Sequence, residues 1–199
     1  YQGVTTEIIG NCGTSVGPIG GLFEEEMTSL ADQIGFDFNW RSLGEWFSVV
    51  EQHGLPFNVG TFVGHNTIRA GVCEAFDDIQ PNELGALQKM LEEGMHAGAL
   101  GMSTGLVYAP GSFATTGEII DLAKILAKYD GIYASHIRNE RETVEEAVDE
   151  ALEIGKAAGV PIFVSHLKAA ERPNWGKIPK VIAQIEAARA SGQNVTFEV

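Results

Sequence analysis

From residue 98 onward the chain alternates between short apolar, β-branched runs and longer amphipathic stretches, with strand starts about 30 residues apart. The runs lie at 99–103, 132–135, 162–165 and 195–199, and earlier ones at 4–9 and 57–63 bring the total to six. Several are apolar at consecutive positions, as strands covered on both faces are. The stretches 82–96, 118–129, 142–158 and 177–190 read as helices. In 82–96, Leu84, Leu87, Met90, Leu91 and Met95 share one face; in 142–158, Val144, Ala147, Val148, Ala151, Leu152 and Ile154 do. The latter starts acidic, which suits a helix dipole, and stops at Gly159 and Pro161. Thr115-Thr116-Gly117-Glu118 is a cap signal. Residues 13–52 are looser, broken by Gly17-Pro18 and Gly20-Gly21, and have room for two short helices. Such alternation requires a parallel sheet in an α/β fold, either an open doubly wound sheet or a (β/α) barrel.

Charge removes some functions. The 199 residues carry a net charge of −14 with 13 Lys and Arg, so phosphate backbones and acidic membrane surfaces are repelled. No apolar run is long enough to span a bilayer, and the first residues, YQGVTTEIIGNCG, are not a signal peptide. Two cysteines, Cys12 and Cys73, with no Cys-x-x-Cys pair, fit a reduced, cytoplasmic setting. The glycine-rich GNCGTSVGPIGG is neither a dinucleotide fingerprint nor a P-loop. The chain lacks an initiator Met, starts on one apparent strand and ends on another, so it reads as a single domain, 1–199, that is a piece of a longer protein.

Five histidines occur, and two follow the same pattern: YASHIRNE at 133–140 and FVSHLKAA at 163–170. His136 and His166 each close a strand, and Ser135 and Ser165 before them belong to the opposite face. Cys12 and His65 also follow strands. In a barrel, the C-terminal strand ends converge on one mouth, where Cys12, His65, His136 and His166 could meet. One thiolate and two imidazoles suit zinc, and three protein ligands leave a position for water. Two other readings stay open: Cys12 as a nucleophile with a histidine base, and structural roles for all three. Tyr108 and Lys168 sit near the same mouth and could hold a carboxylate, against a packed tyrosine and a solvated lysine. Arg138 and Glu140 read as a local ion pair, and Cys73 as structural. His53 and His96 read as helix-end caps or surface groups.

The motifs GVTTEIIGNCGTSVGP, VGHNTIR, GALGMSTGLVYAPG, YASHIRNE and VSHLKA, in this order, resemble the N-acyl-D-amino-acid deacylases (D-aminoacylases) of the amidohydrolase superfamily. The resemblance implies a (β/α)8 TIM-like barrel of the metal-dependent hydrolase type. About strands two to seven are present here; the first and last strands, two exposed edges and the small β-domain are what the rest of such a protein would complete. It implies one tightly bound zinc on Cys12, His136 and His166, with a second metal left open. It implies that Tyr108 and Lys168 contact the α-carboxylate of an N-acyl-D-amino acid, a small-molecule substrate, and that the general-base Asp lies outside these residues. His65 and Arg69 would shape a neighbouring strand end rather than ligate. The implied reaction is zinc-dependent amide hydrolysis, releasing a carboxylate and a D-amino acid. The alternatives are a cyclic amidase of the dihydroorotase or hydantoinase kind, a Schiff-base lyase using Lys168, and an inactive metal-binding fragment.

Overall fold

In the computed structural model, residues 2–35, 38–73 and 79–199 are described; the parts of the sequence reading that fall on 1, 36–37 and 74–78 lie outside them. The strands are β1 (Thr6–Ile9), β2 (Asn58–Thr61), β3 (Val63–Gly64), β4 (Gly101–Gly105), β5 (Ile132–His136), β6 (Ile162–Val164) and β7 (Val195–Phe197). The helices are α1 (Gly21–Ile34), α2 (Leu43–His53), α3 (His65–Val72), α4 (Pro81–His96), α5 (Thr116–Leu126), α6 (Val144–Ala158) and α7 (Ile178–Ala190).

All pairings are parallel: β1 with β2, and β3 through β7 in chain order. The expected strand at 57–63 is split into β2 and β3 at Phe62. Its amide donates back to Ile9 O (3.0 Å), while the Leu100 amide donates to Thr61 O (2.9 Å). The strand thus changes partners mid-length, from β1 to β4. Counting β2 and β3 as one strand leaves six neighbours in sequential order among the described residues, with β1 and β7 as edges there. A doubly wound sheet reverses its order at a switch point; this one never does, and the arc is that of a barrel.

Helices α4 to α7 cover the outer face of this arc. Leu87, Leu91 and Met95 of α4, Ile119, Leu122 and Leu126 of α5, and Val148 and Ile154 of α6 are buried in one core with Met102 and Tyr133 of the strands. Each full Leu or Ile burial contributes roughly 1.5–3 kcal/mol. A second cluster, Ile19, Phe23, Trp40 and Trp46, packs α1 and α2 beneath the first strands. These two are the short helices expected within 13–52.

Local chemistry sets the helix ends. Ser42 Oγ accepts the Glu45 amide (3.2 Å), and Glu45 accepts the amides of Ser42 (2.9 Å) and Arg41 (2.6 Å), starting α2. Thr115 Oγ1 accepts the Glu118 amide (3.1 Å) and starts α5, as the cap signal indicates. Gly159, at φ 71°, ends α6. Helix α3, at 65–72, is not among the expected helices; its buried residues are mostly polar. His53 and His96 are indeed the last residues of α2 and α4. Among the described residues, no helix is long and apolar enough to cross a membrane.

Candidate metal centre

Alternation along β4 and β5 sorts two faces. Met102, Thr104, Tyr133 and Ser135 turn toward the helices, where Thr104 Oγ1 meets Tyr133 OH (3.0 Å) and donates to Ser135 Oγ (3.2 Å). Burial pushes the Tyr133 phenol up to about 12, so it stays a neutral hydrogen-bonding group. Ser103 and His136 turn to the other face. The Gly13 amide donates to Ser103 Oγ (3.0 Å), and Ser103 Oγ donates to Gly10 O, tying the loop after β1 to the end of β4.

That loop carries Cys12 at φ 54°, in the left-handed region. His166, just past β6, sits at φ 37°. Such backbone costs about 1–3 kcal/mol at a non-glycine residue and persists only where the surroundings enforce it. Here they do. The Thr67 amide donates to Gly13 O (3.1 Å), the Ser15 amide to Thr67 Oγ1 (2.9 Å) and the Ser165 amide to Ser135 O (2.9 Å).

Three loops therefore converge. One donor atom from each of Cys12, His136 and His166 lies within 4.8 Å of the others. Cys12 Sγ is 3.4 Å from His166 Nε2. Ligands on tetrahedral zinc are roughly 3.5 Å apart, given Zn–S near 2.3 Å and Zn–N near 2.0 Å. The His136 and His166 rings meet edge to face at 4.3 Å. His136 Nδ1 is buried and has no hydrogen-bond partner among the described residues. An orphaned buried nitrogen beside a thiol and a second imidazole is what a metal would satisfy.

Electrostatics favours ligands over a nucleophile. Burial pushes the Cys12 thiol up, and the nearby carboxylates of Glu140 and Glu198 push it further; Lys168 opposes them. A nucleophilic cysteine needs the reverse, whereas a bound zinc would itself supply the positive charge that holds the thiolate. Burial holds His136 below the ordinary histidine value, Glu140 pulls it back up, and His166 and Lys168 lower it again. The net lowering favours the neutral imidazole, the form that ligates.

Tyr108 and Lys168 each lie against one of the two histidines. The Tyr108 ring is edge-on to His136 at 4.8 Å and half exposed. Lys168 Nζ is 2.6 Å from Glu140 Oε1 and 3.0 Å from His166 Nδ1. Arg138 does not pair with Glu140 as expected. It leans to the helix side, donating to both Glu150 oxygens (2.9 and 2.8 Å) and to the carbonyls of Ser112 and Ala114. Glu140 turns into the mouth, 2.9 Å from His166 Nδ1.

His65 does not join the cluster either. It is the first residue of α3, fully buried, with Nε2 2.8 Å from Glu118 Oε1. Arg69 Nε donates to the same oxygen (3.2 Å) and Nη1 to Pro110 O (3.3 Å). Burial pushes the Glu118 carboxyl up, but His65 and Arg69 outweigh it and hold it below the usual range. Asn66, a site residue that no apolar period or strand end marks in the sequence, donates its side-chain amide to Gly105 O (3.2 Å) and Tyr108 O (3.4 Å) and accepts from the Gly105 amide (3.3 Å). Asn66, Arg69 and Arg138 together fasten the Tyr108 loop by its carbonyls. The packing there leaves no room for side chains. A Cβ on Gly13 would lie 2.3 Å from Asn66 Oδ1, one on Gly111 2.5 Å from it, and one on Gly105 2.2 Å from Cys12 O.

A cavity of about 250 Å³ opens beside Cys12 and Tyr108, lined also by Asn11, Thr14 and Asn66. Larger cavities lie elsewhere, one of about 620 Å³ between β1 and α1. It is lined largely by apolar side chains, so chemistry rather than size marks the site.

No protein-family model matches the chain. Among curated proteins it is 36% identical to the D-aminoacylase of Alcaligenes xylosoxydans xylosoxydans, across 99% of this chain and 40% of that protein. It is 35% identical to the N-acyl-D-glutamate deacylase of the same organism, across 100% of this chain and 40% of that protein. Among solved structures, the N-acyl-D-glutamate deacylase from Bordetella bronchiseptica, complexed with zinc and a phosphonate inhibitor, superposes with a TM-score of 0.90 at 33% identity, covering 100% of this chain and 42% of that one. A D-aminoacylase studied for its binuclear metal centre, with one-metal activation and second-metal attenuation, gives 0.89 at 30% identity, with 100% and 42% coverage. The chain spans about 40% of the length of these curated relatives. In sequence and in fold, it corresponds to a stretch of the N-acyl-D-amino-acid deacylase family, amidohydrolases with a (β/α) barrel.

Proposed function

We propose that these residues form the zinc site and part of the substrate mouth of a hydrolase that cleaves the amide bond of N-acyl-D-amino acids, giving a carboxylate and a D-amino acid. The observation that carries this reading is the convergence of Cys12, His136 and His166, with donor atoms within 4.8 Å of one another. The likeness to a deacylase complexed with zinc supports the metal and the reaction class.

On this reading Cys12, His136 and His166 hold one ion. When bound there, zinc polarises an amide carbonyl and acidifies a water. That a single ion suffices is supported by the one-metal activation described for a D-aminoacylase. The Lys168 ammonium and the Tyr108 hydroxyl orient the substrate's α-carboxylate. With carboxylate and carbonyl both fixed, the side chain is left one direction to take, which selects a single enantiomer. The proton-accepting carboxylate comes from outside these residues, which we assign to one catalytic domain, 1–199.

The test is zinc content by mass spectrometry on the chain purified without added metal, beside His136→Ala. About one zinc per chain, lost in the variant, is expected; a folded chain without zinc overturns the metal assignment. A panel of N-acyl-D- and N-acyl-L-amino acids, given to the protein that contains these residues, tests the substrate. Equal turnover of both series overturns the stereochemical part.

A further inference from the structure

Glu140 is where two of these assignments meet. Its Oε1 lies 2.6 Å from Lys168 Nζ, 2.9 Å from His166 Nδ1 and 3.7 Å from His136 Nε2. The side chain is only 16% exposed, so water screens these contacts poorly. Its backbone is tied across as well, since the Ala170 amide donates to Glu140 O (2.6 Å). One residue thus braces the loop after β5 against the loop after β6.

The consequence concerns a proton position on His166. Its Nδ1 has two neighbours: Glu140 Oε1 at 2.9 Å and Lys168 Nζ at 3.0 Å. These two make opposite demands. An ammonium only donates, so a bond from Lys168 would need a lone pair on Nδ1 and would put the ring proton on Nε2. A carboxylate accepts, so a bond to Glu140 needs the proton on Nδ1 and leaves the lone pair on Nε2. Nε2 is the nitrogen 3.4 Å from Cys12 Sγ. Only the second arrangement presents a lone pair to the cluster. Lys168 has two other acceptors, Glu140 Oε1 and His166 O at 3.1 Å, and loses nothing by yielding Nδ1.

We propose that Glu140 is a positioning residue that sets the tautomer of His166 for metal binding and at the same time holds Lys168 beside the mouth. The inference rests on the zinc reading above. Glu140 lies outside the group of converging donor atoms and acts through His166 and Lys168. A carboxylate behind a ligating histidine typically changes metal affinity by 10–100-fold. The hold on Lys168 acts in the opposite direction, because a lysine already facing a carboxylate attracts a second carboxylate less strongly. Loss of Glu140 therefore weakens zinc and strengthens capture of an anion, two changes that general loosening of the fold does not produce together.

The experiment uses the chain itself, as wild type, Glu140→Gln and Glu140→Asp. Zinc affinity is read by competition with a chromophoric chelator, and acetate binding to the zinc-loaded chain by calorimetry. The expected result is zinc affinity about tenfold or more lower in Glu140→Gln, partly restored in Glu140→Asp, with acetate affinity raised in Glu140→Gln. Zinc affinity within twofold of wild type in a folded Glu140→Gln overturns the proposal. Should the variants not fold, nitrogen chemical shifts of the metal-free wild-type chain decide: a protonated Nδ1 on His166 supports it, and a proton on Nε2 overturns it. Failure of the zinc reading is separate, since it appears as absence of zinc from the wild-type chain.

Discussion

Replacing Glu118 by Gln tests the buried charges that anchor the Tyr108 loop. The substitution keeps the shape of the side chain and removes its charge. Glu118 is 3% exposed and Arg69 is fully buried, so the guanidinium loses the Glu118 carboxylate where water cannot replace it. Removing one member of a buried pair costs about 3–5 kcal/mol. For a chain of this size, each kcal/mol moves the melting temperature by about 2–4 °C, so a drop on the order of 10 °C is expected. The pH dependence has a definite sign. The Glu118 carboxyl sits below its usual range in the folded chain. Its contribution is therefore complete above the unfolded value, near 4.3, and fades as pH falls through the folded value. Urea unfolding followed by circular dichroism, at pH 7 and at steps below 4.5, should show a wide gap between wild type and variant that narrows with acid. Asp121→Asn, which breaks an exposed pair with Lys124, should cost under about 1 kcal/mol at any pH. A Glu118→Gln variant within about 0.5 kcal/mol of wild type, against the 3–5 expected, or a gap that is constant with pH, would refute the reasoning.

Other measurements check separate parts of the structure. Ile119→Ala empties a fully buried position and should destabilise by about 2–5 kcal/mol in denaturant titration. Ser42→Ala removes one half of a capping box and should cost about 1 kcal/mol, with the loss confined to α2 in amide exchange. Gly105→Ala would place a methyl 2.2 Å from Cys12 O, so zinc retention, read by chelator competition, should fall sharply. Stripping zinc from the loaded chain should lower its stability by about 2.7 kcal/mol where free zinc had stood at a hundred times its dissociation constant.

The barrel arc is legible in the sequence because its strands are short apolar runs and its outer helices keep a strict apolar period. Leu87, Leu91, Val148 and Ile154 are core residues both by spacing and by burial. The repeated Ser-His pattern marks His136 because alternation along β5 sends Ser135 and His136 to opposite faces; His166 lies past β6 at φ 37°, so a turn rather than alternation aims it. Helix α3 escapes such reasoning: His65, Asn66, Thr67 and Arg69 are buried through hydrogen bonds and charge pairing, which leave no apolar period. Arg138 and Glu140 invite pairing because they are close in sequence. The fold separates them, giving Arg138 a partner twelve residues on, in α6, and Glu140 to the histidines. Their proximity along the chain carries no information about which side of the strand end each one leaves.

The tight packing at Gly13, Gly105 and Gly111 around Asn66 has a consequence for anyone rebuilding this protein. These positions come from three separate segments, yet each fills space that another leaves empty. The loop bearing Cys12 is therefore not a portable part. Moved alone into another barrel, it would meet side chains where it needs bare backbone. Moved with the start of α3 and the turn after β4, it brings its own walls. Recombination between relatives should succeed when its crossover points keep these three segments together from one parent, and fail when they divide them.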